Sequence, residues 1–274
     1  MADAVPPTGG ARELRVEIDD PVCTITLDRP STLNALTYPM LGAFRAAVDE
    51  AARDPRVVGI VVTGEGRGFC SGLDASVLQA TTNEGSSSRP APSGDVPGLF
   101  TWLLKVPKPV ISAVNGVAAG GGFVLAAMSD LRIASTAAQF TSVFSKRGLI
   151  AEHGMTWLVP RLIGTGAALD LLWSSRKIDA AEAHRIGLVQ QVVEPDDLLA
   201  ACRRYVVDLA ENVSPASIAD TKRLVYEGFG VPYRDALEEI DRVQYAALDR
   251  VDSKEGAAAL IEKRAPSFPR LGPS

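Results

Sequence analysis

The chain reads as an α/β protein with a helical C-terminal region. Apolar strand-like runs recur at 57–63, 110–114, 130–135 and 188–193, with helices or loops between them. That alternation builds layered α/β architectures. The run VVGIVVT at 57–63 is nearly continuous in apolar residues, as in strands covered on both faces. From residue 196 onward the pattern turns helical. The expected organisation is a lead-in at 1–11, a core at 12–195 and a helical region at 196–274.

Residues 1–11 lack periodicity and read as disordered. Leu14, Val16 and Ile18 alternate with charged residues, predicting a half-buried strand. Asp19-Asp20-Pro21 turns into a second strand, VCTITLDRP. Thr37 is placed to cap a helix burying Leu41, Phe44, Val48 and Ala51 and ending near Asp54-Pro55. After the 57–63 strand comes a glycine-rich bend, GEGRGFCSGLDAS (64–76). Its spacing matches neither a dinucleotide fingerprint nor a P-loop, and Ser71 is not in a hydrolase elbow. Cys70 reads as a small buried residue rather than a nucleophile.

Residues 79–98 are almost devoid of apolar side chains and read as a long loop. A short helix is expected at 99–106. Next, the strand 110–114 runs into Gly120–Gly122 and an apolar helix. Three glycines there cost backbone entropy. They either let a ligand approach bare helix N–H groups or let two backbones cross. Pro160 to Trp173 and Asp179 to Ile186 look helical, and the tail divides into 196–211, 215–227, 233–250 and 254–264. Its apolar residues, among them Leu237, Ile240, Val243, Tyr245, Leu248, Leu260 and Ile261, exceed what a lone appendage should expose. They suggest packing on another subunit.

At 274 residues and 46% hydrophobic content the chain can bury one large core. A net charge of -5 offers no footprint for nucleic acid or an anionic membrane. No apolar run spans a bilayer, and the N-terminus does not resemble a secretory signal. Cys23, Cys70 and Cys202 form no disulfide framework, which suits a cytoplasmic protein. Two histidines without clustered cysteines supply no zinc ligand set.

Six segments in order resemble the crotonase (enoyl-CoA hydratase/isomerase) superfamily: LDRPSTLNALT (27–37), VVTGEGRGFCSGLDAS (61–76), PVISAVNGVAAGGGF (109–123), RGLIAEHGMTWLVPRLIG (147–164), AAEAHRIGLVQQVV (180–193) and LIEKRAPSF (260–268). The resemblance implies a spiral of ββα turns with a C-terminal helical trimerisation region. It also implies an acyl-CoA thioester partner, a homo-oligomer (trimer or dimer of trimers), and no cofactor beyond the CoA carried by the substrate. It makes the backbone N–H groups of Leu73 and Gly121 the oxyanion hole. Arg29, Cys70, Ser71, Asp74, Gly120, Gly122, Val124, Phe144 and Lys263 fall on the substrate and CoA surface, with Asp74 better suited to helix capping than to chemistry. Lys263 matches the position that reaches the CoA phosphates of a neighbouring subunit, although a solvated helix lysine would look the same.

The positions of the two hydratase glutamates hold Val124 and Phe144 instead. Hydration needs a base for water and an acid for C2, so the usual arrangement is missing. The acid left in the region is Glu152, at the place where several isomerases of the family carry their single catalytic carboxylate. Burial beside Val124, Phe144 and Trp157 would tune it; the competing reading is a helix cap or a pair with Arg147 or Arg161. His153 reads as a structural or pocket-edge residue. The expected activity is double-bond isomerisation by Glu152, with enoyl-CoA hydration or non-catalytic acyl-CoA binding as alternatives.

Overall fold

The computed structural model describes residues 13–84 and 97–272. The lead-in at 1–11 and most of the expected 79–98 loop therefore lie outside the described residues. Strands β1 (Leu14–Asp19) and β2 (Val22–Leu27) form an antiparallel hairpin. Helix α1 (Tyr38–Arg53) follows, with Thr37 accepting the Met40 N–H as its cap. It buries Met40, Phe44, Val48 and Ala51, while Leu41 is half-buried.

Three repeats then share one plan. In each, a strand of a large sheet turns into a short strand of a small sheet and leads to a helix. The first is β3 (Gly59–Gly64), β4 (Gly68–Cys70) and α2 (Ala75–Glu84). The second is β5 (Val110–Val114), β6 (Val117–Ala119) and α3 (Gly121–Met128). The third is β7 (Leu131–Ser135), β8 (Gln139–Thr141) and, after a turn, α4 (Met155–Ile163). α5 (Thr165–Ser174), β9 (Ile178–Asp179), α6 (Ala180–Arg185) and β10 (Gln191–Val193) complete the core. The large sheet runs β1-β2-β3-β5-β7-β10 and the small one β4-β6-β8-β9. This is the expected ββα spiral.

Four expectations are corrected. Helix α2 continues to Glu84, so the polar stretch from 79 begins in a helix. The expected 188–193 strand shortens to Gln191–Val193, because Leu188 and Val189 are buried before pairing begins. The helix expected over 160–173 starts at Met155 and breaks at Gly164 (φ 76°), giving α4 and α5. The last tail segment, expected from 254, already begins as a helix at Val251, with Asp252 in its first turn.

Helices α7 (Leu198–Asn212), α8 (Pro215–Gly228), α9 (Tyr233–Leu248) and α10 (Val251–Glu262) form the tail. Leu198, Ala201, Cys202 and Val206 of α7 pack on Val61, Ile111 and Ile133 of the large sheet, which is thus covered on both faces. Among the described residues no helix is long and apolar enough to cross a membrane.

Arg132, almost fully buried, fixes α3 from its C-terminal end. Its Nη1 donates to the carbonyls of Ala126, Ala127 and Ser129, and its Nε donates to that of Leu188. These are orphan acceptors at a helix terminus. Removing buried donors costs about 1–3 kcal/mol for each group left unpaired. We expect Arg132→Met to lower stability by at least about 3 kcal/mol, a Tm loss of roughly 6 °C or more for a chain this size. Differential scanning calorimetry checks this, and an unchanged Tm contradicts it.

Candidate active site

The glycine-rich bends after β4 and β6 meet. At the first, Leu36 bridges the bend by donating to Gly72 O (2.7 Å) and accepting from Asp74 N (2.9 Å). This bridge skips Leu73, whose N–H has no hydrogen bond among the described residues. At the second, Gly120 precedes α3 at φ 52°, ψ -116°, a conformation reserved for glycine. Gly121 opens the helix, so its N–H is an unpaired first-turn donor.

Gly72 joins the two. Its φ is 101°, and a Cβ there would lie 2.9 Å from Ala119 O and 3.2 Å from Gly121 N. A Cβ at Gly121 would in turn lie 3.6 Å from Leu73 N. The spacing leaves two unpaired amides side by side. A Cβ at Gly122 would come within 2.0 Å of the Cys70 carbonyl oxygen, so α3 crosses β4 with no room for a side chain. The triplet thus serves a close crossing and exposes a helix N-terminus.

Other residues brace this pair. Arg29 donates to Asp74 Oδ2 (3.1 Å) and Ala35 O and pairs with Glu13 (3.2 Å). Its contacts tie the Leu73 loop to the chain before α1. Asp74 accepts from Ser76 Oγ (2.8 Å) and Ser76 N (3.1 Å). The Ser76 hydroxyl and amide, and then Arg29, hold its carboxyl below the usual range. Ser71 donates from Oγ to Thr32 O (2.9 Å) and is held in the framework. Cys70 is fully buried, and burial pushes its thiol up to about 12. A thiol like this is no nucleophile at neutral pH.

The wall beside the amides is apolar. Val124 is fully buried one turn into α3, and a Cβ at Gly120 would lie 3.1 Å from a Val143 methyl. Phe144 follows, also buried, with its ring 6.4 Å from that of His153. The contacts lead from there to Glu152.

Glu152 is not buried as expected: its side chain is 44% exposed. The loop before α4 turns Ala151 inward and leaves Leu149, Ile150 and Glu152 facing out. Trp157 packs on Phe229 of the tail (5.6 Å between centroids) rather than covering the acid. Glu152 pairs with neither Arg147 nor Arg161 among the described residues; Arg161 lies over the Trp157 ring and donates to Trp157 O. Its neighbour is His153, with Nε2 3.5 Å from Glu152 Oε1. A cavity of about 800 Å³ opens beside Gly154 on the side of α8, lined by Met128, Trp157 and Tyr226 together with the charged Lys222, Arg223 and Glu227, and not by Leu73, Gly121 or Glu152. Lys263 is exposed just past α10 with φ 55°, and bonds to no other candidate residue among the described residues.

Gly72 was not singled out from the sequence, although a glycine just before a donor position is a signal that φ > 0 is needed there. The contact of His153 with Leu99 is long-range and left no local signal.

The ββα spiral that carries these paired amides is that of a known family. The pattern of the enoyl-CoA hydratase/isomerase family matches residues 17–270; the chain belongs to that family. It is 36% identical over 255 residues to a "Probable enoyl-CoA hydratase" of Rhodobacter capsulatus, covering 93% of this chain and 97% of that one. It is 33% identical over 263 residues to the 1,2-epoxyphenylacetyl-CoA isomerase of Escherichia coli, covering 92% and 96%. Among solved structures, an enoyl-CoA hydratase from Polaromonas sp. JS666 superposes with a TM-score of 0.84 at 30% identity, covering 93% and 99%.

A methyl group at Gly72 would wedge between the amides and strain a positive φ, at a cost of about 1–3 kcal/mol. If the paired amides receive the substrate oxygen, Gly72→Ala is expected to cut acyl-CoA turnover by at least about tenfold, because displaced donors lose their effect. Steady-state kinetics on folded variant check this, and unchanged kcat contradicts it.

Proposed function

We propose that this enzyme isomerises the double bond of a 3-enoyl-CoA, with Glu152 as its single acid/base. The observation that carries the reading is the wall beside the amide pair. Val124 and Phe144 stand where hydratases of the family carry carboxylates, and Glu152 is the acid on the loop that follows, beside the His153 ring that Phe144 meets. The 33% identity to the 1,2-epoxyphenylacetyl-CoA isomerase, a relative named for isomerising a CoA thioester, supports it.

In this mechanism Leu73 N–H and Gly121 N–H hold the thioester oxygen. The Glu152 carboxylate takes a proton from C2, and the electron pair moves through C1 onto the oxygen as the dienolate forms. The dienolate then takes the same proton from the carboxylic acid at C4. The double bond moves from C3–C4 to C2–C3, and the carboxylate is regenerated. Each oxyanion donor is worth about 2.7–4 kcal/mol.

Hydration is the second reading, favoured by the hydratase names of several relatives. The exposed apolar residues of α9 and α10, among them Tyr233, Tyr245, Leu260 and Ile261, support assembly as a homo-oligomer, trimer or dimer of trimers. Lys263 would then reach the CoA phosphates of a neighbouring copy.

We expect wild type to convert 3-hexenoyl-CoA to the conjugated thioester and Glu152→Gln to lose about 10²–10⁴ of that rate. Equal rates in the two sink the assignment. Rapid hydration of crotonyl-CoA would select the hydratase reading.

A further inference from the structure

His153, next to Glu152, is held in an uncommon conformation. Its φ is 56°, in the left-handed region that costs most residues energy and that Asn, Asp and His tolerate best. Its Nδ1 accepts the backbone N–H of Leu99 at 3.3 Å. The lone pair therefore sits on Nδ1, and the neutral ring carries its proton on Nε2. That is the nitrogen 3.5 Å from Glu152 Oε1. Phe144 meets the ring edgewise, and a Cβ at Gly98 would lie 3.1 Å from His153 Cα. Burial favours the neutral imidazole, and the Glu152 charge opposes that. Gly98, Leu99 and Phe144, which pack against His153, carry no ionisable side chain.

We infer that His153 is the positioning residue of this site, holding Nε2 beside the Glu152 carboxylate at an ion-pair distance rather than in a hydrogen bond, so that the acid/base meets C2 and C4 in one orientation. The inference rests on the Glu152 reading above. An exposed glutamate keeps most of its rotamer freedom, which costs entropy to remove. One base serving two carbons must nonetheless stay within hydrogen-bond reach of both. His153 supplies the constraint from a ring that is itself fixed by the backbone, as an orienting group fixes the base in other catalytic arrays. The role needs the neutral ring, because a protonated imidazole has no lone pair for the Leu99 N–H.

The test measures kcat and KM for 3-hexenoyl-CoA across pH for wild type, Glu152→Gln, His153→Asn and His153→Gln, with thermal unfolding of each. Asparagine tolerates φ > 0 and keeps an acceptor near the Nδ1 position, but it has no donor where Nε2 stood. Glutamine restores a donor there. We expect His153→Asn to unfold near the wild-type temperature and to lose about 10- to 100-fold in kcat, as misplacement of a reacting group does. Its KM stays within about threefold, since a misplaced base weakens the transition state and not substrate binding. The acid limb of its pH profile loses one titrating group, and His153→Gln recovers part of the rate. Wild-type kcat in His153→Asn beside an inactive Glu152→Gln overturns the positioning role alone. A loss that tracks Tm without recovery in His153→Gln makes the residue structural and also overturns it. Full turnover by Glu152→Gln overturns the parent reading and this inference together.

Discussion

The site depends on how closely α3 crosses the end of β4. At Gly122 the crossing leaves no space for even a methyl group, since the Cys70 carbonyl oxygen would lie 2.0 Å from a Cβ. That contact sets the height of α3 above the first bend, and Gly72 sets the sideways spacing. The first-turn N–H of Gly121 and the unbridged N–H of Leu73 then stand together. At the far end of α3, Arg132 ties the last carbonyls to Leu188. The helix is pinned at both ends, which holds the first-turn N–H of Gly121 in place.

The paired amides and Glu152 lie on different parts of the chain. The amides come from the first two ββα turns, where hydrogen bonds and close backbone contacts hold every member. Glu152 comes from the loop before α4 in the third turn, and it is exposed. His153 lies beside it, held through Leu99 by the segment before β5. The same loop opens α4, whose Trp157 packs on Phe229 beyond α8. The tail is thus in contact with the helix that follows the Glu152 loop.

Much of this is legible in the sequence. The apolar runs give β3, β5 and β7, Thr37 gives the α1 cap, and the glycine triplet marks the helix mouth. The order of the six family segments gives the spiral. What stays hidden depends on distant contacts. Burial of Glu152 looked natural from its apolar neighbours, but the loop places Ala151 inward and sends Trp157 to the tail. Arg132 reads as an ordinary strand residue until the carbonyls of α3 converge on it. The break at Gly164 lies inside a helical pattern that periodicity alone carries through. Cys70 fits its small-residue reading, because β4 buries it beneath α3.

The central claim is that Leu73 N–H and Gly121 N–H together receive the thioester oxygen. A crystal structure with a bound acyl-CoA thioester tests it most directly. The account predicts the carbonyl oxygen at about 2.7–3.1 Å from both nitrogens, the range of productive oxyanion donors. A carbonyl oxygen bound elsewhere, with either amide left facing water, would contradict it.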